Sequence, residues 1–271
     1  YKLCCEGTAL LWRGDFQNAK QLLQALSRRI DRPGKKPKKA PESILEAFHL
    51  HRQAQSQKAR ILGMLLIELS AGYHINLRRA PDVKAACEHA YGKYQHSLVV
   101  SLRELLGLIG AHEWHKNGVE IVQIQEKIHT SYGVFSPIRG EYLTLVDKAP
   151  LPNPCNLAFD IGTGTGVLAA ILANRGIKNI IATDNAPRAL ACAQANIDRL
   201  NLKNYVKVVV ADLFPDDADG KADLIVCNPP WLPARPSSAL ESAVYDDKSQ
   251  MLKGFLSGLK NHLSETGEGW L

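Results

Sequence analysis

The chain has 271 residues, of which 45% are hydrophobic and 22% charged, a composition typical of a folded globular protein. This composition excludes disordered and fibrous classes, and without an apolar run of about 18 residues or a signal peptide we expect a cytoplasmic protein with no membrane contact. The six cysteines have no CxxC spacing, and His112 and His115 in HEWH lack the HExxH spacing of a zinc site, so no metal is expected.

Positive charge is concentrated in the first part of the chain. Residues 1–150 contain 22 Lys and Arg against 14 Asp and Glu, whereas residues 151–271 contain 11 against 13. Much of the excess lies at 28–39, around a segment over 31–41 that also contains Pro and Gly. Two interpretations stay open for this segment: an arm that binds phosphate or an acidic partner, and a solvated linker between helices.

Residues 1–117 are predicted to form a helical domain that binds the substrate or a partner. Apolar residues recur at helical spacing over 16–30. After the basic segment, the pattern predicts a long helix over 42–70 and further helical segments over 82–97 and 97–110.

The pattern changes near residue 118, and residues 118–271 are predicted to form an α/β domain. One or two short strands are expected over 118–135, before a helix that begins near Arg139. Strands then alternate with helices, which predicts a doubly wound, Rossmann-like and mainly parallel sheet. The predicted strands are 156–162, 179–184, 205–212, 222–230 and 267–271, and the predicted helices are 166–176, 186–201 and 249–267.

The stretch FDIGTGTGVLA (159–169) joins the first strand of this sheet to the helix after it. Gly162, Gly164 and Gly166 let the backbone approach a ligand closely. Asp184, at the end of the next strand, suits the ribose of either a nicotinamide dinucleotide or S-adenosylmethionine. The turn by itself leaves both cofactors open.

Asp160 favours S-adenosylmethionine over a nicotinamide dinucleotide. A carboxylate directly before the turn is unfavourable beside a doubly negative pyrophosphate, but it tolerates the ammonium and sulfonium groups of S-adenosylmethionine. An NAD-dependent oxidoreductase is the remote alternative, and it gives no account of the tetrapeptide NPPW at 228–231.

The motif CNPPWLP (227–233) follows the fourth strand, at the edge where ligands bind in open α/β sheets. Pro229 and Pro230 end the strand because they have no N–H group. The Asn228 side-chain oxygen and the Pro229 carbonyl can then accept both hydrogens of one amino group and aim its lone pair at a methyl donor. Trp231 offers a flat face for a planar substrate. These four residues are the predicted catalytic residues.

The ordered combination of FDIGTGTG, Asp184, Asp212 in ADLF and NPPW resembles the class I S-adenosylmethionine-dependent methyltransferases that methylate amino groups. This group includes release-factor glutamine methyltransferases and adenine or guanine N-methyltransferases of RNA and DNA. The resemblance covers residues 130–271. The glutamine methyltransferases usually have Tyr in place of Trp231, so this chain departs from them there.

The resemblance implies a role for each matching position. The glycine turn would hold the methionine part of the cofactor, Asp184 the ribose, and Asp212 with Leu213 the adenine. Pro137 and Arg139 in SPIRGEYL resemble a segment that closes over the cofactor in relatives. The implied cofactor-binding residues are Asp160, Gly162, Thr163, Gly164, Gly166, Asp184, Asn185, Asp212, Leu213 and Asn228.

Two substrate classes stay open. One is the side-chain amide of a protein glutamine, with the N-terminal domain gripping the protein partner. The other is an exocyclic amine of an RNA or DNA base, with the basic half of the chain contacting phosphates and Trp231 stacking on the base. Relatives continue beyond the strand in which this chain ends, so we expect the natural protein to be longer.

Overall fold

The computed structural model divides the chain into two compact units, Tyr1–His112 and Glu113–Leu271. Residues 33–40, at the centre of the basic segment, and the candidate Arg139 lie outside the described residues. Within the described part of the chain, no helix combines the length and the apolar character needed to cross a membrane. The described residues are 1–32, 41–138, 140–235, 241 and 244–271.

The first unit combines helices with a small sheet, and its last helix runs past the boundary. In this sheet β2 lies between β1, to which it is parallel, and β3, to which it is antiparallel. The elements are α1 (Lys2–Cys5), β1 (Leu10–Leu11), α2 (Phe16–Ile30), α3 (Ile44–Leu62), β2 (Leu65–Leu69), α4 (Lys84–Tyr91), β3 (Leu98–Ser101) and α5 (Leu102–Asn117).

Helix α2 has the bounds that the apolar spacing predicts. Asp15 caps it, because its side chain accepts hydrogen bonds from the backbone N–H groups of Gln17 and Asn18. Phe16 and Leu26 are buried on its inner face. The helix is therefore fixed by a cap and by one apolar face.

The prediction of helix over 42–70 is wrong in its last part, which forms β2. Leu65, Ile67 and Leu69 are fully buried while Glu68 is exposed, which is the alternation of a strand. The predicted helix over 97–110 likewise begins only after β3. The domain that was expected to be helical thus contains a sheet as well.

The second unit contains a five-stranded sheet in the order β10-β9-β6-β7-β8, with every neighbouring pair parallel. A short antiparallel hairpin of β4 and β5 precedes it, as predicted. This sheet confirms the predicted Rossmann-like class. The elements are β4 (Val119–Ile121), β5 (Glu126–Ile128), α6 (Glu141–Lys148), β6 (Leu157–Ile161), α7 (Val167–Asn174), β7 (Asn179–Asp184), α8 (Pro187–Arg199), β8 (Val206–Val210), β9 (Ala222–Cys227), α9 (Gln250–His262) and β10 (Leu263–Trp270).

Helices cover both faces of this sheet. On one face, Ala158 of β6 shares a buried cluster with Ile171 of α7 and Ile197 of α8. On the other, Phe159 belongs to a cluster with Phe255 of α9. Because strand side chains alternate between faces, Asp160 follows Ala158 onto the α7 face.

The end of the chain differs from its predicted layout. The helix predicted over 249–267 ends at His262, and β10 begins directly at Leu263. Its pairing with β9 shifts in register between Leu263 and Glu268. Most of the strand predicted over 267–271 lies in β10, which begins earlier than predicted.

Candidate active site

The centre of the sheet places the two main sequence motifs side by side. In the register of β6 and β9, Ile161 lies opposite Cys227, so Gly162 and Asn228 follow at neighbouring strand ends. The chain leaves β6 towards β7 on one side, while β9 lies on the other. A reversal of strand order of this kind opens the crevice in which doubly wound folds bind their ligands.

All three glycines of the turn have left-handed backbone angles, with φ of 71° at Gly162, 56° at Gly164 and 80° at Gly166. Other residues adopt these angles only under strain. Gly162 is also crowded, because a Cβ there would lie 2.8 Å from Cε of Met251 in α9. The turn therefore requires glycine for its backbone, and any side chain at Gly162 would also displace the end of the Met251 side chain.

Asp160 is buried beneath the turn. Its Oδ2 accepts hydrogen bonds from the Thr163 hydroxyl at 2.6 Å and from the Ala169 N–H at 3.0 Å. Burial, with a smaller effect of the Asp184 charge, raises the pKa of Asp160 to about 6 although both hydrogen bonds lower it. The carboxylate thus joins the turn to the start of α7. A nearby cation would stabilise its ionised form.

Asp184 joins the turn to the next strand end. Its Oδ2 accepts a hydrogen bond from the Gly164 N–H at 3.1 Å, and its Oδ1 accepts one from the Ala186 N–H at 2.9 Å. Each carboxylate oxygen still has lone pairs for a ligand. The structure therefore brings Asp184 to the glycine turn, and its assignment to the ribose stays a prediction.

The end of β8 supplies Asp212 and Leu213. The exposed Asp212 accepts a 3.4 Å hydrogen bond from the Asn185 side chain, so this pair bridges the ends of β7 and β8. Leu213 has a φ of 74°, and its carbonyl accepts a hydrogen bond from the Thr183 hydroxyl at 2.6 Å. Leu213 also fits against Gly254 of α9, where a Cβ would lie 2.6 Å from its Cδ1.

The NPPW motif forms the other side of the crevice. Asn228 is half-buried, and its Oδ1 accepts a hydrogen bond from Nε1 of Trp231 at 3.1 Å. Pro229 is buried, whereas the Trp231 side chain is 55% exposed. An acceptor oxygen and an exposed aromatic face therefore lie beside the glycine turn.

Pro137 is buried in the segment that precedes α6. This segment is held against α8, where Val134 packs on Ala189 and Cys192. Among the residues that the structure describes, no hydrogen bond joins Pro137 to the turn, so its part in the site stays a prediction.

Asn196 of α8 is a residue that sequence reasoning missed. It is buried, and its amide donates to the carbonyls of His129 at 2.9 Å and Thr165 at 3.0 Å while its oxygen accepts from the His129 N–H. It thereby ties the glycine turn to the segment after β5. Its one sequence signal is an amide on the apolar face of α8, next to Ile197.

Tyr142, the second residue of α6, was missed as well. Burial, with a smaller effect of the Asp160 charge, raises the pKa of Tyr142 to about 12, while the Asn228 side chain lowers it. Its ring packs against the apolar cluster between the sheet and α7. Tyr142 thus lies close enough to Asp160 and Asn228 to be influenced by both side chains.

The fold and the paired strand-end motifs define a Rossmann-like enzyme site. Residues 125–271, more than half of the chain, match the methyltransferase small domain family, and the chain belongs to that family. This confirms the predicted methyltransferase activity with S-adenosylmethionine as cofactor. The family match therefore argues against the NAD-dependent oxidoreductase alternative.

Named relatives match part of the chain. A protein of Methanocaldococcus jannaschii, named provisionally as a protein N5-glutamine methyltransferase, is 32% identical over 155 residues, which are 55% of this chain and 75% of that protein. The release factor glutamine methyltransferase of Cereibacter sphaeroides is 37% identical over 98 residues, 36% of this chain and 35% of that enzyme. The chain thus matches about a third of the latter's length.

A solved structure matches a comparable share of the chain. The ribosomal protein L11 methylase of Lactobacillus delbrueckii subsp. bulgaricus has a TM-score of 0.40 and 28% identity, with 54% of this chain and 66% of that chain covered.

Proposed function

We propose that this chain transfers the methyl group of S-adenosylmethionine to the side-chain amide nitrogen of a glutamine in a protein of the release-factor type. The observation that carries this proposal is the pair of acceptors, Asn228 Oδ1 and the Pro229 carbonyl, at the strand end beside the glycine turn. The names of two relatives, both glutamine methyltransferases, agree with it.

The other side of the crevice fits this cofactor. Asp160 lies one residue before the end of β6, Asp184 ends the neighbouring β7, and Asp212 follows β8. Such a set suits a molecule with cationic groups and ribose hydroxyls. We assign the glycine turn to the methionine part, Asp184 to the ribose, and Asp212 with Leu213 to the adenine.

An amide nitrogen is a poor nucleophile because its lone pair is delocalised, so the protein has to position it. Asn228 and Pro229 hold its two hydrogens, and Trp231 packs against the plane of the amide. When bound, S-adenosylmethionine would supply an activated methyl group, which would pass from its sulfonium sulfur to the amide nitrogen. One amide proton then leaves to solvent, and no strong base is needed because the sulfonium charge is neutralised.

A second candidate is methylation of an exocyclic base amine in RNA or DNA. It is favoured by the excess of 22 basic over 14 acidic residues in 1–150 and by the exposed face of Trp231. The same two acceptors would hold a base amino group equally well.

The test is methyl transfer from radiolabelled S-adenosylmethionine into a cell extract of the source organism that is then split into protein and nucleic-acid fractions. Asn228→Ala is the inactive variant, and Asn204→Ala, at an exposed turn before β8, is the matched control. We expect label in a protein, located by mass spectrometry on a glutamine, with wild type and Asn204→Ala but not with Asn228→Ala. Label confined to RNA or DNA would replace the proposal with the second candidate.

A further inference from the structure

Helix α8 lies directly against the glycine turn. A Cβ added at Gly166 would lie 3.4 Å from Cα of Ala193, so the backbone of the helix passes close to the backbone of the turn. At the preceding residue, the side-chain amide of Asn196 donates a hydrogen bond to the Thr165 carbonyl at 3.0 Å. Two consecutive residues of the turn therefore rest on α8.

Asn196 also joins the turn to a second piece of chain, the segment 129–134 that follows β5. Its side-chain oxygen accepts a hydrogen bond from the His129 N–H at 2.9 Å, and its NH₂ group donates one to the His129 carbonyl at 2.9 Å. With the bond to Thr165, both hydrogens of the amide and one lone pair of its oxygen are used. The side chain is 1% exposed, and these bonds fix its orientation.

The same face of α8 makes further contacts with the segment 129–134. Cys192, one helical turn before Asn196, accepts a hydrogen bond on Sγ from the Ser131 N–H at 3.3 Å. The guanidinium of Arg188, another turn earlier, lies 5.6 Å from the centre of the Tyr132 ring. Residues four apart share one face of a helix, so this face supports the segment over its length. The hydrogen bonds of Asn196 extend that support to the turn.

We infer that Asn196 is a positioning residue for the cofactor, which acts by holding the glycine turn and the segment 129–134 in one fixed arrangement. A turn with three glycines at positive φ has no regular hydrogen-bonding pattern of its own, so its shape depends on bonds from its surroundings. The inference rests on the proposed assignment of the turn to the methionine part of S-adenosylmethionine. It holds for either class of methyl acceptor.

Asn196→Ala tests this inference, because it leaves the Thr165 carbonyl and both backbone groups of His129 without their partner. We expect the Kd for S-adenosylmethionine, measured by calorimetry well below the melting temperature, to rise by about tenfold. An unchanged Kd in folded Asn196→Ala would overturn the inference, because the amide would then serve stability alone.

Two variants of the same helix are the controls. Gln194→Ala changes an exposed side chain and should leave both the Tm and the Kd as they are in wild type. Ile197→Val removes one methylene from a fully buried side chain, so it should lower the Tm and leave the Kd unchanged. A rise in Kd in Ile197→Val as large as that in Asn196→Ala would overturn the inference, because a general loss of stability would then explain both.

Hydrogen exchange of the wild-type protein, followed by NMR, gives a test that does not depend on the folding of a variant. The amides to follow are those of Gly164 in the turn and of His129 and Ser131 in the segment. The N–H of Ile180, inside the sheet, corrects for global unfolding. We expect S-adenosylmethionine to slow exchange of all three amides by at least about fivefold beyond this reference.

The two ways in which this experiment can fail are distinct. Slower exchange at Gly164 with no change at His129 and Ser131 would overturn the role of Asn196 and leave the turn assigned to the cofactor. Unchanged exchange at all three amides in protein saturated with S-adenosylmethionine would overturn the assignment of the turn itself, and the inference with it.

Discussion

The two sides of the crevice are built differently. The cofactor side, made of Asp160, the turn 162–166 and Asp184, has its polar groups bonded within the protein and its first carboxylate buried. The acceptor side, residues 228–231, ends in a Trp231 side chain that is 55% exposed. One side is part of the core of the sheet, and the other is open to solvent.

The fold fixes the positions of the cofactor-side residues, whereas the acceptor-side residues are open to the substrate. On the cofactor side, a substitution also affects the neighbouring helices, because Asp160 contacts α7 and Gly162 contacts α9. On the acceptor side, Trp231 can change its contacts without disturbing the sheet. We therefore expect cofactor-side substitutions to alter affinity and folding, and acceptor-side substitutions to alter turnover.

Gly162→Ala is expected to have the largest effect on the cofactor side. The new Cβ would lie 2.8 Å from Cε of Met251, at a φ of 71° that strains any other residue. We expect the free energy of unfolding to fall by about 1–3 kcal/mol, measured by urea denaturation, and the Kd for S-adenosylmethionine to rise by about 100-fold, measured by calorimetry.

Gly107→Ala is the matched control, because a Cβ there meets no atom within 4 Å and φ is not positive. It should leave both quantities unchanged or raise stability slightly. If Gly162→Ala and Gly107→Ala bind S-adenosylmethionine with equal affinity, the rigid turn does not determine cofactor binding.

Asp160 makes cofactor affinity depend on pH. Its pKa is raised from an ordinary 3.8 to about 6, so it is protonated below that pH and ionised above it. A cationic cofactor gains from the ionised form, so affinity rises as pH increases through about 6. The free energy of unfolding moves the other way between these two pKa values, because the folded state there holds the extra proton.

The measurement is a pair of titrations, calorimetric for affinity and chemical for unfolding, from pH 4 to 8. Asp160→Asn keeps an oxygen for Thr163 and Ala169 but cannot ionise, so both trends should flatten in this variant. An affinity that keeps the wild-type pH profile in Asp160→Asn would show that another group is responsible.

Gly254→Ala is expected to have the smallest effect. Its Cβ would lie 2.6 Å from Cδ1 of Leu213, and that side chain can move by rotation. A small displacement of the Leu213 backbone should weaken S-adenosylmethionine binding by about threefold at constant kcat. The exposed Leu256→Ala on the same helix serves as control. A lower kcat at saturating cofactor would contradict the assignment of Leu213 to the adenine.

The sequence predicts the central sheet well for a physical reason. Buried parallel strands are short apolar runs separated by amphipathic helices, and their carboxyl ends meet at one edge. That rule explains why Gly162 and Asn228, which are 66 positions apart in the sequence, lie at neighbouring strand ends. The substrate does not follow from it, because no rule links sheet topology to the partner.

Elsewhere, contacts that are distant in sequence decided the structure. The run from Leu62 to Leu69 has apolar residues at both helical and alternating spacing, and pairing with β1 and β3 selects the strand. Asn196 and its hydrogen-bond partners, His129 and Thr165, carry no local motif, because they lie far apart along the chain. Their part in the site could be seen only once the fold was known.

The most direct test compares one residue from each side. Asn228→Ala and Asp184→Ala are measured for the Kd of S-adenosylmethionine by calorimetry and for kcat at saturating cofactor. We predict that Asn228→Ala lowers kcat by about 100-fold with Kd within about twofold of wild type, and that Asp184→Ala raises Kd by about tenfold with kcat largely kept. Equal losses of affinity and turnover in Asn228→Ala would contradict the division of the site into two sides.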